Sequence, residues 1–559
     1  MAKKNKSMNK TGHTIAYVFS IICITVFVIV SYLTYKTVLG MNIIPVKYTN
    51  IFLYVLIGIS ILFGLIAILP KVSTFNKVLQ ILICFILSVG LMVVNTRIPD
   101  YLGRLERMFN RVPDEGTLFM NIYVPVDSEI SDVKDLENRK IGVLSDKDSE
   151  YLEYSYKVIS RELNGATIEP VSYTDVYKLA EDFQNDVVEG ILINQTYAQF
   201  ISENNDFSEY NNDNKIIYTI EHKIKLNYET NEVGNITKEP FVVAVSGNDT
   251  WDYSEMDPSQ NIARSDVNML VVVNPLTKKI LIVNIPRDTY VPLFGDYDAM
   301  DKLTHATIYG IDTWEKAVNE LLDIDINYFV RINFQSFVNV VDAVGGIDID
   351  NPDEMTIGYV EFDKKTGIPH GVLKTYEKGL IHLTGPEALG YVRERKSLSE
   401  GDIARTSHQA IAIKGLIDKV TQVSVITKVS NLLDAVNGTF MTDMNINKLY
   451  ALIQMQLDDM ASWEISSFGI TGYEDERTSY AMGNSDVEIE EEVEVEVLIV
   501  DEEGNPILDE DGNEQYEIRV EKQKTTQEAR TFSVLIPYNN DVSEAKSLIQ
   551  QIMSEKAGE

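Results

Sequence analysis

FVVAVSGNDTW (241–251) and ARSDVNMLVVVNPLTKKILIVNIPRDTYVPL (263–293) decide how this chain folds. Met269 to Val273 and Ile280 to Val283 are nearly unbroken apolar runs separated by Asn-Pro-Leu-Thr-Lys-Lys, a pattern that predicts two buried strands joined by a short turn. Phe241 to Val245 predicts a strand ahead of them. The charges stand just outside these runs. Asp249 follows the first strand through a Ser-Gly-Asn turn, Arg264 and Asp266 precede the second, and Arg287 and Asp288 follow the third. Carboxylates and guanidinium groups at the ends of apolar strands can hold a divalent metal and a phosphorylated ligand. The same letters also suit turn residues and a surface ion pair.

Downstream, Asp312-Thr-Trp-Glu315 followed by AVNELL predicts a helix capped by Asp312. Tyr328 to Ile332 reads as a strand, and FQSFVNVVDAV as a helix stopped by Gly345-Gly346. This alternation predicts an α/β domain, a sheet covered by helices. In GYVRERKSLSEGDIARTSHQ, an extended Gly390 to Arg395 would turn Arg393 and Arg395 to one side. From Asp402 the apolar spacing becomes helical, and Asp402, Arg405 and Gln409 share one helix face at i, i+3 and i+7. The two sets can converge on one anion, although a solvated charged face has the same composition. His305 and His408 lack a second histidine or cysteine at zinc spacing, so His305 reads as a wall or packing residue. A closing helix and strand follow in MTDMNINKLYALIQMQL and SWEISSFGI. Asp486 to Glu517 is acidic and alternating, a projecting β-hairpin without EF-hand spacing, and the chain ends in a strand and a helix.

Upstream lie three apolar segments of spanning length, Thr14 to Leu33, Ile51 to Leu69 and Val78 to Val94. The basic opening MAKKNKSMNK places the N-terminus inside, so three crossings put everything after about Asn95 outside the cell. Both cysteines, Cys23 and Cys84, fall in these segments, which excludes a disulfide framework. A formal charge of −35 argues against a nucleic-acid partner. Leu118 to His222 predicts a small α/β domain whose VKDLENRKIGVL weakly resembles the opening of a solute-binding lobe; it reads as a spacer or docking module, or as a binding domain.

RSDVNML, the hairpin to Leu293, DKLTHATIYG (301–310), YFVRINFQSF, DAVGGIDID and LTGPEALGYVRERKS…GDIAR…HQ, in that order, resemble the LytR-CpsA-Psr family of Gram-positive cell-envelope proteins. The likeness covers about Pro240 to Thr421 and continues faintly to Phe468. It implies an α-β-α catalytic domain with a central mixed sheet and a cavity for a polyprenyl tail, preceded by three transmembrane helices and a small α/β accessory domain. It also implies a Mg²⁺ or Mn²⁺ site at Asp249 and Asp266, and pyrophosphate contacts from Arg264, Arg287, Arg393, Arg395, Arg405 and Gln409. Asp402 would orient the arginines, and Asp288 would be either the base or an arginine's partner. Arg287, Asp288, Asp402 and Arg405 thus form the expected catalytic set. Trp251 stands where many relatives have arginine. The implied reaction moves a polyprenyl-diphosphate-linked wall polymer, teichoic acid or capsular polysaccharide, onto peptidoglycan at the membrane; hydrolysis of the diphosphate, or a non-enzymatic regulatory role, remain alternatives. The expected organisation is a cytoplasmic N-terminus (1–13), membrane helices (14–95), accessory domain (110–230), catalytic domain (240–485), acidic hairpin (486–528) and C-terminal strand and helix (529–559).

Overall fold

The computed structural model describes residues 2–41, 44–69, 72–109, 115–146, 148–207, 209–225, 231–248, 264–362, 368–394, 401–422, 440–483, 487–498, 516–527 and 530–556. Three helices open it: α1 (Ala2–Gly40), α2 (Val46–Ile68) and α3 (Thr74–Phe109). Each contains a stretch long and apolar enough to cross a membrane, Thr14–Gly40, Val46–Ile68 and Thr74–Asp100. α3 runs on past its apolar part and packs on the globular region, and Lys47 at the start of α2 pairs with Asp458 at 3.2 Å.

The accessory domain is built from β1 (Glu115–Pro125), β2 (Lys140–Leu144), α4 (Ser149–Glu162), β3 (Glu169–Tyr173), α5 (Val176–Gln184), β4 (Gly190–Asn194), α6 (Gln195–Glu203), the single turn α7 (Tyr210–Asp213) and β5 (Asn214–Lys225). Its strands order as β3-β2-β4-β1-β5. β4 is buried along its whole length, its four small or apolar residues covered on both faces and Asn194 at its end accepting from the Thr196 amide.

The second sheet begins with β6 (Phe241–Asn248), β7 (Val267–Asn274) and β8 (Lys279–Ile285), the three strands expected from the quoted runs, here paired antiparallel in sequence. A short ribbon, β9 (Tyr290–Pro292) and β10 (Met300–Lys302), leads into α8 (Leu303–Ala306) and α9 (Ile311–Leu322). Then come β11 (Tyr328–Asn333), α10 (Phe334–Ala343), β12 (Ile347–Asn351), β13 (Met355–Phe362), β14 (Pro369–Tyr376), β15 (Gly379–Leu383), α11 (Gly385–Arg393) and α12 (Gly401–Val420). β16 (Phe440–Thr442), α13 (Ile446–Asp459) and β17 (Glu464–Gly469) complete the sheet, in the order β16-β11-β6-β7-β8-β17. β11 is parallel to β6 and β17 to β8, whereas β16 is antiparallel to β11, so the sheet is mixed. β18 (Gly472–Thr478) pairs with β21 (Thr531–Pro537), and between them β19 (Val487–Leu498) pairs with β20 (Tyr516–Gln527). The last helix is α14 (Asn539–Ser554).

Both faces of the sheet are covered. On one, Leu270, Val272, Leu281 and Val283 pack against Trp314 and Val318 of α9 and against Ala545 and Ile549 of α14. On the other, Met269, Ile280 and Ile282 meet Ala410 and Ile413 of α12, with α13 alongside. This double burial explains why β7 and β8 read as continuous rather than alternating apolar runs.

Two local readings are corrected. Gly310, at φ +117°, takes the N-cap position of α9, and Asp312 lies inside the first turn and accepts no capping bond. Gly390 to Arg393 is helical rather than extended, and Arg395 lies outside the described residues. The reason is upstream of the arginines. Thr384 caps α11, Pro386 sits in its first turn, and Glu387 closes a capping box, accepting from the Thr384 amide at 2.9 Å and hydroxyl at 2.8 Å. Gly385 then permits α11 to lie on α10, since a Cβ there would stand 2.4 Å from the Val338 carbonyl.

Glu387 also accepts from the Lys374 ammonium at 2.5 Å. Burial alone would raise its pKa, but Lys374, Thr384 and the Tyr376 hydroxyl bring it to about 2. That is below the free value of about 4.3, so the bonds stabilise the fold above pH 4.3 and the contribution disappears as pH falls through 2. Glu387→Gln is therefore expected to destabilise the solubilised chain by about 2 kcal/mol at neutral pH. Thermal unfolding followed by circular dichroism should show the gap from wild type closing as the pH is lowered towards about 2.

Candidate active site

Strand direction gathers the site. β6 and β11 end, β7 begins and β8 ends at the same edge of the sheet, so Asn248, Asn333, Asp266 and Arg287 arrive there from four strands. Gly247 makes the approach possible, because a Cβ on it would lie 2.9 Å from Val267 Cβ. The Asp266 amide donates to the Gly247 carbonyl at 2.8 Å, so Asp266 is tied beside the end of β6. Behind it runs a buried polar chain. Ser246 and Ser265 share a hydroxyl bond of 2.8 Å, the Asn268 carboxamide donates to the Ser265 carbonyl, and Trp314 Nε1 donates to Asn268 Oδ1 at 2.6 Å. These bonds hold the start of β7 in place from below.

Arg287 Nη1 donates to Asp266 Oδ1 at 2.7 Å, while its Nε lies 3.5 Å from Asp288 Oδ2. Lys302 approaches the other Asp288 oxygen at 3.2 Å. Burial works to raise the Asp288 pKa, yet Lys302 and Arg287, with His305 beyond, outweigh it and hold the group below the usual carboxylate range. A carboxylate so paired is a weak proton acceptor, and its geometry is that of a partner orienting Arg287. Arg264, two residues before Asp266, stands over the Phe200 ring at 5.7 Å.

The other arginines come from the helices. Arg393 closes α11 over the Phe334 ring at 4.5 Å. Arg405 and Gln409 are buried on α12, which is fixed to the sheet where Asn284 of β8 donates to the Thr406 carbonyl at 3.0 Å. Gln409, Asn248, Gly247, Phe334 and Val392 line one narrow apolar cavity of about 40 Å³ between the sheet and α10, α11 and α12. A charged edge thus borders a greasy slot. Asp249, Trp251 and Arg395 lie outside the described residues, as does the side chain of Asp402, although its backbone is in α12.

Among the described residues no group of three His, Cys, Asp or Glu side chains forms a metal site. Asp266 beside the end of β6 supplies oxygen chemistry that fits a hard divalent cation, and the chain continues from that strand end directly into Asp249. His408 is buried against Tyr391, with ring centroids 4.6 Å apart, and burial lowers its pKa; it packs.

Sequence reasoning did not find Asp301, which is fully buried. It accepts from the Ser479 hydroxyl at 2.9 Å and the Ala481 amide at 2.8 Å, and its Oδ1 lies 2.7 Å from His305 Nδ1. Burial raises its pKa, but His305 and the amides of Ala481 and Lys302 together bring it below the ordinary value. The i, i+4 spacing of Asp301 and His305 was the available signal; the partners at 479–481 had none. The Thr304 amide donates to the Arg287 carbonyl at 2.9 Å, so this network braces the strand end that carries Arg287.

A family model described as the LytR_cpsA_psr family matches residues 201–495. The polyisoprenyl-teichoic acid–peptidoglycan teichoic acid transferase TagU of Oceanobacillus iheyensis is 32% identical over 200 residues, 34% of this chain and 58% of that protein. The polyisoprenyl-teichoic acid–peptidoglycan teichoic acid transferase TagV of Bacillus subtilis is 32% identical over 244 residues, 43% of this chain and 59% of that one. The chain thus spans about three fifths of the length of these two curated relatives. The crystal structure of B. subtilis TagV aligns at 24% identity over 57% of this chain and 99% of that one, with a TM-score of 0.37.

Asp301→Asn weakens the charge-assisted bond to His305 and leaves an amide hydrogen facing donors. It is expected to lower stability by about 2 kcal/mol. Because the folded pKa of Asp301 is depressed, the loss should be full near neutral pH and shrink as acid protonates the wild-type carboxylate, read from thermal midpoints across that range.

Proposed function

Because the chain belongs to the LytR_cpsA_psr family, we propose that it is a membrane-anchored transferase that moves a wall glycopolymer from a polyprenyl diphosphate onto peptidoglycan as a phosphodiester. The observation that carries this reading is the junction of two chemistries at one edge: the Arg287–Asp266 pair on the strand ends, next to an apolar cavity reached by Gln409 and Asn248. Such a junction suits a ligand with an anionic head and an apolar tail. Teichoic acid or a capsular polysaccharide is the polymer carried.

In this reaction an acceptor hydroxyl oxygen of peptidoglycan forms a bond to the phosphorus that bears the polymer. The bond from that phosphorus to the bridging oxygen breaks, polyprenyl phosphate leaves, and the hydroxyl proton passes to solvent. Arg264, Arg287, Arg393, Arg395 and Arg405 bind the diphosphate and offset the charge that develops on the leaving phosphate, with Gln409 as a neutral donor. Asp288 and Asp402 orient guanidinium groups. Asp249 and Asp266 would hold Mg²⁺ or Mn²⁺, which supplies further charge neutralisation when bound.

The catalytic region faces the outside in this proposal. Lys47 and Tyr48, in the first turn of α2, contact Asp458 and the Leu457 carbonyl, so the α1–α2 end and the end of α3 lie towards the catalytic domain. The N-terminus and the α2–α3 connection then share the opposite side, carrying Lys3, Lys4, Lys6, Lys10 and Lys71, the side that positive charge marks as cytoplasmic.

The test is transfer of radiolabelled polymer from a synthetic polyprenyl-diphosphate donor to peptidoglycan fragments, with Mg²⁺ and with EDTA. Wild type should couple polymer only with the metal, and Asp266→Ala and Arg287→Ala should each fall by about 100-fold or more. Soluble polymer released at the same rate, with none coupled, would make the protein a hydrolase instead.

A further inference from the structure

The accessory domain reaches into the site through one side chain. Phe200 lies on α6, is 2% exposed, and is the ring over which Arg264 stands at 5.7 Å. The same ring meets His305 with centroids 4.9 Å apart at 60°. His305 is held from its other side by Asp301, and Arg264 is two residues from Asp266. Phe200 therefore sits between the two segments that carry the site's charged groups, although it belongs to the other domain and lies just before the segment that the family model matches.

The surrounding contacts make this a fixed arrangement. Asn194 caps α6 by accepting from the Thr196 amide at 3.0 Å, and its own amide donates to the buried Asp148 at 3.2 Å. The Tyr197 and Tyr309 hydroxyls are 3.4 Å apart. Phe200, Tyr197 and Ala198 share one buried apolar core with Ile308, Ala481 and Met482 of the catalytic domain, and the Val176 amide donates to the Met482 carbonyl at 3.2 Å. On the flank, Arg530 reaches Asp175 at 3.6 Å and Glu181 at 3.5 Å. A module serving only as a spacer has no need to seal this face so completely.

We propose that Phe200 is a positioning residue, and that the accessory domain thereby sets the geometry with which Arg264 receives the diphosphate. An aromatic face suits the task. It attracts a guanidinium through the negative face of its ring and fixes where the planar group stands. The inference rests on the proposed diphosphate ligand but not on the transfer step.

The experiment uses the full chain in detergent and a synthetic polyprenyl diphosphate, with binding and transfer measured separately. Phe200→Leu keeps an apolar side chain and removes the ring; it is expected to weaken diphosphate binding at least fivefold and to raise KM more than it lowers kcat. Phe200→Tyr, which keeps the ring, should restore most of the affinity. Phe207→Leu serves as the structural control, since Phe207 stacks on Tyr177 in the same domain core away from Arg264; it should cost comparable thermal stability without the binding defect. In an Arg264→Ala background, Phe200→Leu should have no further effect. Equal weakening by Phe207→Leu, or a full additive loss in the Arg264→Ala background, would overturn the proposal. Wild type that binds diphosphate without transferring polymer would remove the transferase reading and leave this one standing; wild type that binds no diphosphate would remove both.

Discussion

Antiparallel pairing of β7 with the strands on either side of it is the constraint from which the active edge follows. Register alone decides that Asp266 comes to lie beside the end of β6 while Arg287 leaves β8 next to it. A slip of one residue would turn both sets of side chains to the opposite face. The register is held by apolar burial on both faces and by the buried serine–asparagine–tryptophan chain under Ser265. Polar groups this deep stabilise little in net terms but discriminate strongly against alternatives, because a displaced partner leaves a buried donor unmatched.

The electrostatics of the edge favour positive charge. Arg287 is oriented by two carboxylates, and Lys302 shares one of them, so two cations balance two carboxylates around Arg287. Arg264 and Arg393 add two further positive charges at the edge, each standing over an aromatic ring that helps to orient its guanidinium. In a chain of net charge −35 this local surplus is notable for its sign. It makes the edge a place where an anion can approach an otherwise repelling molecule.

How much of this could be read from residues alone depended on the range of the interaction. The hairpin from Val267 to Ile285 carries its own signal, because burial on both faces writes an unbroken apolar run into the letters. α11 was also written locally, in Thr384, Pro386 and Glu387, but the arginine spacing after Gly390 drew the reading towards a strand; a capping box outweighs side-chain alternation when the two conflict. Asp312 misled for the related reason that a glycine two residues earlier, at positive φ, could start the helix sooner. Asp301 left only its i, i+4 spacing to His305 as a local trace, and Phe200 left none. Their roles depend on partners about 180 and 105 positions away, and nothing in composition or periodicity encodes such distances. The convergence of the charged residues was an expectation from resemblance, and the three residues outside the described segments leave that expectation without a geometry for them.

The contact of Lys47 and Tyr48 with the end of α13, together with the continuation of α3 beyond its apolar part, means that the globular region has two attachments to its anchor instead of one. An exposed ion pair of this kind contributes under about 1 kcal/mol, so its effect is on geometry more than on stability. A body held by a single strand of chain sweeps a dome above the bilayer, whereas one held at two points keeps its altitude and its tilt. The mouth of the site would then travel in a plane parallel to the membrane, and the lipid-borne donor proposed for it, diffusing sideways in the leaflet, would meet it always in the same orientation.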